Sequence, residues 1–214
     1  MRAVADNDIL LKGACYGLLS ALISTVSGEG PVGILGASRF VIPKRITRHG
    51  LRRSPAVAEA HFTDFVAKNA VVEPSADEQQ MAALFEEAAQ RLSLNLDAGE
   101  SQLVAILVSR SLRCFLTGDK RAIASIDALL DSDSRLGGVV GKIRCLEQLV
   151  TAALATLDMD QMRQSICAEP SVDKTLTICF GCRSKDGDLA TILAGLASYI
   201  ADLRTKALRV LATS

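Results

Sequence analysis

Short apolar runs alternate with longer amphipathic ones from the start of the chain to about residue 135, and this alternation restricts the fold more than any other feature. "RAVAD", residues 2–6, reads as a strand. A helix follows to about Val26, with Leu11, Ala14, Cys15, Leu18, Leu19 and Leu22 at three-four spacing. "SGEGPVG" breaks the chain, and "SRFVIP" reads as a second strand stopped by Pro43. Pro55 opens the helix "AVAEAHFTDFVAK", and "VVEPSADEQQ" is a strand end or loop. Ser75 with Glu78 makes a capping box for "EQQMAALFEEAAQRL", and Asp97 caps a helix beginning near "AGESQLVAILVSR". "RCFLTGD" is a short strand ending at Asp119, and "KRAIASIDALLDS" is helical again. Alternation of this kind predicts an α/β fold, a three-layer α/β/α arrangement in which helices cover both faces of a parallel sheet.

The remainder reads differently. "GKIRCLEQLVTAALATL" and "DLATILAGLASYIADLRTKALRVLA" are long helical patterns separated by an irregular, cysteine-bearing stretch. The expectation is an α/β domain over 1–135 and a helical C-terminal extension over 136–214, packed together without a long linker. Hydrophobic residues are 49% of the 214, enough for a packed core, and with 4% aromatics and no Trp that core is aliphatic. The 24 basic and 24 acidic residues cancel, which excludes a uniformly polybasic binder but leaves room for a local patch. The apolar stretch from Ile9 to Val26 contains Lys12 and scattered Gly and Ser, and no basic start with a cleavage motif precedes it. It is read as a buried helix of a cytoplasmic protein with no membrane partner.

In parallel α/β sheets the functional cleft lies outside the carboxyl ends of the strands. Asp6 and Asp8 end the first strand, Glu100 sits in the first turn of the helix after Asp97, and Asp119 ends "CFLTGD". Together they form a candidate acidic cluster. Crowded carboxylates raise one another's pKa unless a cation neutralises them, and Mg²⁺ or Mn²⁺ prefers such oxygen ligands. Each residue also has an ordinary structural use: Asp8 and Asp119 as helix caps, Glu100 as a first-turn acid favoured by the helix dipole.

"VADNDIL" and "LDAGESQLVAILVSRSLRCFLTGDKRA", in that order, resemble the PIN-domain family over about residues 1–135. The first is similar to the family's opening strand, where Asp is followed two residues on by Asn, Ser or Asp. The second is similar to its Gly-Glu helix and its Thr-x-Asp strand end. The resemblance implies a PIN-like α/β/α domain and metal-dependent cleavage of RNA, with a metal-activated water attacking the phosphodiester to leave a 5′-phosphate. It implies that Asp6, Glu100 and Asp119 are catalytic metal ligands, that Asp8 assists, and that the cofactor is Mg²⁺ or Mn²⁺. One departure stands out. Where the family carries Pro-x-x-Val-x-x-Glu, "PKRITRH" places His49 at the acidic position, and Glu59 in the next helix is the candidate substitute. The alternatives are a catalytically silent module of the same fold that binds nucleic acid or protein, and, by family analogy, a toxin-type nuclease with an antitoxin-like partner. Self-association through the C-terminal helices is a further partner expectation.

Arg39, Lys44, Arg45, Arg48, Arg52 and Arg53 lie in a segment with no acid from 39 to 53. They are candidate phosphate contacts, or else a solvated helical face or a face for an acidic partner. Cys179 and Cys182 have C-x-x-C spacing, with Cys145 and Cys167 upstream, so the four are a candidate thiolate site. Only one close pair exists, however, and the plainer expectation is buried free cysteines, no zinc, and no disulfides in a reducing compartment.

Overall fold

The computed structural model describes residues 1–27, 30–184 and 187–213. Five short strands form one all-parallel sheet: β1 (Ala3–Ala5), β2 (Val32–Leu35), β3 (Ala70–Val72), β4 (Cys114–Leu116) and β5 (Ile143–Arg144). Their order is β3-β2-β1-β4-β5. Every crossover carries helices, as parallel pairing requires. Helices α1 (Asn7–Tyr16) and α2 (Leu19–Ser27) join β1 to β2, and α3 (Ser38–Arg48) and α4 (Pro55–Lys68) join β2 to β3. Helices α5 (Ala76–Arg91) and α6 (Ala98–Ser109) lead to β4. Helix α7 (Lys120–Leu129) and a 3₁₀ turn (Ser134–Val139) lead to β5. Then come α8 (Leu146–Leu154), α9 (Met159–Ala168), α10 (Lys174–Cys179) and α11 (Leu189–Lys206).

Because side chains alternate along a strand, the sheet separates two cores. Ala3, Ala5, Ile34, Cys114 and Leu116 face one, built with α1–α4 and α8–α10. Val4, Phe115 and Ile143 face the other, built with α5–α7. Helix α11 crosses the boundary: Ile192 and Leu196 enter the first core and Leu203 the second. This is the expected three-layer α/β/α arrangement. The sheet continues past residue 135, since β5 pairs with β4 through Phe115 opposite Ile143 and Leu116 opposite Arg144.

Three local expectations are corrected. "SRFVIP" is the start of α3, not a strand, because Ser38, Ile42 and Ile46 are the buried residues, four apart. Pro43 has no N–H to give the Arg39 carbonyl, but Arg39 is exposed, so water can satisfy it. The second strand is instead "VGIL", inside what reads as a break. Gly33 fits there because the Met1 sulfur and the Val4 side chain occupy the space a Cβ would need. The helix expected to run to Val26 is interrupted at Gly17, in the left-handed region (φ 70°), whose N–H returns to Ala14 O. Finally, "GKIRC" is not helical, because Ile143 and Arg144 form β5. Among the described residues, no helix is long and apolar enough to cross a membrane.

Candidate acidic site

Strand order reverses direction at β1: the chain moves from β1 outward to β2 and β3, then returns to place β4 on the other side. A crevice therefore opens between the carboxyl ends of β1 and β4. A cavity of about 240 Å³ lies there, lined by Asp6, Asn7, Asp8, Leu35, Ser38, Arg45, Asp97, Gly99, Glu100, Leu103, Asp119 and Arg121. Five carboxylates and two guanidinium groups thus share one opening.

Register explains how Asp6 and Asp119 meet. Ala5 pairs with Leu116, and Asp6 N–H donates to Leu116 O at 3.0 Å, so both chains leave the sheet side by side. Asp6 caps α1, its Oδ1 accepting from Ile9 N–H at 2.9 Å. Its Oδ2 accepts from the hydroxyl of Thr117, which is itself fully buried. Thr117 Oγ1 in turn accepts from Asp119 N–H at 3.1 Å, linking the two strand ends through one hydroxyl. Burial, followed by the charge of Asp8, pushes the Asp6 carboxyl up to about 7 against the hydrogen bonds from Ile9 and Thr117 and the charge of Lys12.

Helix α6 brings two acids. Asp97 Oδ1 accepts from Glu100 N–H at 2.8 Å, and Glu100 Oε2 accepts from Asp97 N–H at 3.0 Å, a reciprocal capping box. Burial pushes the Glu100 carboxyl up to about 8. The Asp97 N–H opposes that rise, and the charges of Asp97, Asp119 and Asp6 add to it. Asp119 behaves oppositely. Burial would raise it, but the Arg121 guanidinium and the N–H groups of Arg121 and Ala122 outweigh burial and hold it below the usual carboxylate range.

Asp8 is neutralised locally. Lys12 Nζ lies 2.7 Å from it and 2.8 Å from Asp173, the cap of α10. The loop after β4 must pass close to this pair: a Cβ at Gly118 would collide with the Asp8 carboxylate. Gly118→Ala is therefore expected to displace Asp8 from Lys12 and to cost about 1–3 kcal/mol in urea unfolding.

From the sequence alone Asp97 reads only as a cap, and no local pattern marks Asn7, Ser38 or Arg121. The Asp97–Glu100 spacing was the available signal, since a capping box at the carboxyl edge of the sheet turns both acids toward the crevice. Glu59, the candidate substitute, is half-buried on α4 and does not line the cavity. His49 closes the C-terminal end of α3 and does not line it either. Helix α3 presents Ser38 and Arg45 there instead of an acid. Arg39, Lys44, Arg45, Arg48, Arg52 and Arg53 are all exposed, and among the described residues none forms an ion pair.

The cysteine expectation is corrected. Cys167, at the end of α9, and Cys182, after α10, are joined by a disulfide, their Cα atoms 5.1 Å apart. Cys145 and Cys179 are buried free thiols, pushed by burial up to about 12 and about 11. With Cys167 and Cys182 joined to each other, only two of the four sulfurs remain thiols, so the four do not make a thiolate site.

As for a metal, the donor chemistry of the acidic cavity fits a hard divalent cation. All its acids offer oxygen, and Asn7 Oδ1 is buried without a hydrogen-bond donor among the described residues. The side chains stand apart, however: among the described residues no three His, Cys, Asp or Glu are placed to grip one ion directly. A Mg²⁺ that keeps most of its water needs only one or two carboxylates. No family model, curated protein or solved structure matches the chain.

Proposed function

We propose that the protein is a divalent-metal-dependent ribonuclease acting through this acidic cavity. The observation that carries the reading is the convergence of Asp6, Asp8, Asp97, Glu100 and Asp119 on one opening at the carboxyl edge of a parallel sheet. Asp6 with Asn7 Oδ1 would hold Mg²⁺ or Mn²⁺ directly, and Asp97, Glu100 and Asp119 would reach the ion through its bound waters. Bound there, the ion would lower the pKa of a water and neutralise charge developing on the phosphate. Thr117 fixes the Asp6 carboxylate and the backbone before Asp119 in one orientation. Arg45 and Arg121, which line the same cavity, would bind the phosphate oxygens and offset the surplus of negative charge. The exposed bases of α3 would hold flanking phosphates.

A second reading is favoured by the separation of the carboxylates and by their structural duties. Asp6, Asp97 and Asp119 each cap a helix, and Asp8 is committed to Lys12. A module that binds nucleic acid without cutting it would keep the same geometry. Cleavage of single-stranded RNA in a Mn²⁺ titration separates the two, with Asp97→Asn and Asp119→Asn beside the parent. The nuclease reading expects Mn²⁺-dependent cleavage slowed at least a hundredfold in both variants, about 2.7 kcal/mol of transition-state stabilisation. Equal rates in all three remove these residues from the chemistry. Salt-sensitive binding with no cleavage at any metal concentration selects the silent module.

A further inference from the structure

A second cavity, of about 730 Å³, lies at the other end of the acid-free segment. Its walls carry Arg52, Lys174 and Arg183, and no acid lines it among the described residues. The Cys167–Cys182 disulfide forms part of its lining. We propose that this cavity is a second phosphate-binding site, for a distal stretch of the same single-stranded RNA whose reacting phosphate enters the acidic cavity. The proposal rests on the nuclease or RNA-binding reading above and names the path its substrate takes.

Three observations support it. The first is continuity: Arg45 lines the acidic cavity and Arg52 lines this one, and the seven residue steps from one to the other span no more than about 25 Å. Arg48 lies between them in sequence and is exposed, which adds a further cation to the segment that joins the two cavities.

The second is a purpose-built anchor. Glu169 is fully buried, and its carboxylate accepts from Arg52 N–H at 2.8 Å and Arg53 N–H at 2.7 Å. Such charge-assisted bonds fix the loop's backbone, and with it Arg52, whose exposed side chain lines the cavity together with Pro170 and Ser171. A buried carboxylate spent on holding a loop of arginines in place makes sense if the position of those arginines matters.

The third is rigidity of the opposite wall. The disulfide ties α9 to the turn after α10, and Thr177 Oγ1 donates to Pro170 O at 2.8 Å across the same gap. A site fixed before binding loses little entropy when it is filled. Ile178, 65% exposed within the lining, adds an apolar surface against which a base can rest. A phosphodiester strand is favoured over an acidic peptide because its phosphates would reach both Arg45 at the acidic cavity and the cations here, while its bases can rest on Ile178.

The test is equilibrium binding of a fluorescently labelled single-stranded RNA to the full chain, in chelator so that nothing is cut, over a salt titration. Compared with the parent are Lys174→Glu/Arg183→Glu, both exposed residues, and Arg45→Glu. The double variant is expected to bind at least tenfold more weakly. Its slope of log affinity against log salt should be shallower by about 1.4, the value for two lost phosphate contacts on a single strand. Unchanged affinity and slope in the double variant, with weakening in Arg45→Glu, overturns the second site and leaves the RNA reading standing. No binding by the parent overturns both. Displacement of the RNA as readily by polyglutamate as by unlabelled RNA overturns the assignment to phosphates, and full displacement by millimolar inorganic phosphate overturns the assignment to a strand. Lys174→Gln/Arg183→Gln, with unchanged melting temperature, loses the same two contacts without adding charge and is expected to give the same slope change with a smaller loss of affinity, which guards against a folding artefact.

Discussion

In metal-free buffer at pH 8, Asp6→Asn is expected to be more stable than the parent chain, and at pH 5 it is expected to be equal or less stable. The reason is the environment of the carboxyl group. Asp6 is 5% exposed, and burial and Asp8 hold its pKa near 7, well above its ordinary 3.8. A group whose folded pKa is raised binds its proton more tightly in the native state. Its contribution to stability is complete below about pH 4 and is lost as pH rises through about 7. Glu100, pushed up to about 8, extends the same decline upward. Asparagine cannot ionise. Its Oδ1 can still accept from Ile9 N–H, and its Nδ2 can donate to Thr117 Oγ1. What it gives up is the acceptor for the Thr117 hydroxyl, a cost felt at every pH. The expected gain at pH 8 is about 2 kcal/mol, or about 4–8 °C in Tm for a chain of this size. Thermal unfolding at the two pH values, with chelator and then with Mn²⁺, measures it. Mn²⁺ is expected to raise the Tm of the parent at pH 8 by more than that of Asp6→Asn, which has one carboxylate fewer to be neutralised. A variant that is less stable by the same amount at both pH values would mean that Asp6 serves as a helix cap and nothing more.

The parts of this site that could be read from the sequence were those carried by local chemistry. Helix caps are local: Ser75 with Glu78 and Asp97 with Glu100 are four-residue patterns, and both form reciprocal boxes. The order of Asp6, Asp8, Glu100 and Asp119 along alternating strands and helices was enough to expect them at one edge of a parallel sheet, and all four line one cavity. What was not legible depends on tertiary context. "SRFVIP" has the β-branched and aromatic residues of a strand, yet Phe40 is 69% exposed and the burial period is that of a helix. β2 was hidden because Gly33 is small to accommodate Met1 and Val4, which are distant in sequence. β5 is two residues long, and no pattern of that length distinguishes a strand from the first turn of a helix. The disulfide joins residues 15 apart across a helical turn whose fold had to be known first. Arg121 was legible as a helix residue, but not as the partner that keeps Asp119 ionised while its neighbours are pushed toward protonation.

Asp127→Ala is expected to destabilise the protein by about 3 kcal/mol, far more than an exposed ion pair is worth. Asp127 lies on α7, mostly buried, and one carboxylate holds the chain's last segment in place. Its Oδ1 accepts from Arg209 N–H at 2.8 Å and Val210 N–H at 3.3 Å, and its Oδ2 accepts from Arg209 Nε at 2.9 Å. Arg209 also donates to the Asp127 carbonyl at 2.5 Å and to Asp131 at 2.8 Å. Held this way, residues 210–212 run beside β5: Ile143 N–H donates to Val210 O at 3.0 Å, and Ala212 N–H donates to Ile143 O at 2.8 Å. Val210 and Leu211 are thereby buried in the core that contains Phe115. Removing the carboxylate leaves three donors without their acceptor and an arginine half-paired, which is the costly way to break such a network. Asp202→Ala is the matched control. It removes an ion pair to Lys206 in which both side chains are more than half exposed, and it is expected to change stability by no more than about 0.5 kcal/mol. Urea unfolding of both variants gives the comparison, and hydrogen exchange locates it. In Asp127→Ala the amides of Ile143 and Ala212 should exchange ahead of the amides of Val4 and Phe115. If Asp127→Ala matches Asp202→Ala, the last residues are an appendage. If it falls as expected, the edge of the sheet beyond β5 is completed by residues 210–212, and the helices from α8 to α11 are part of the same folding unit as the acidic site.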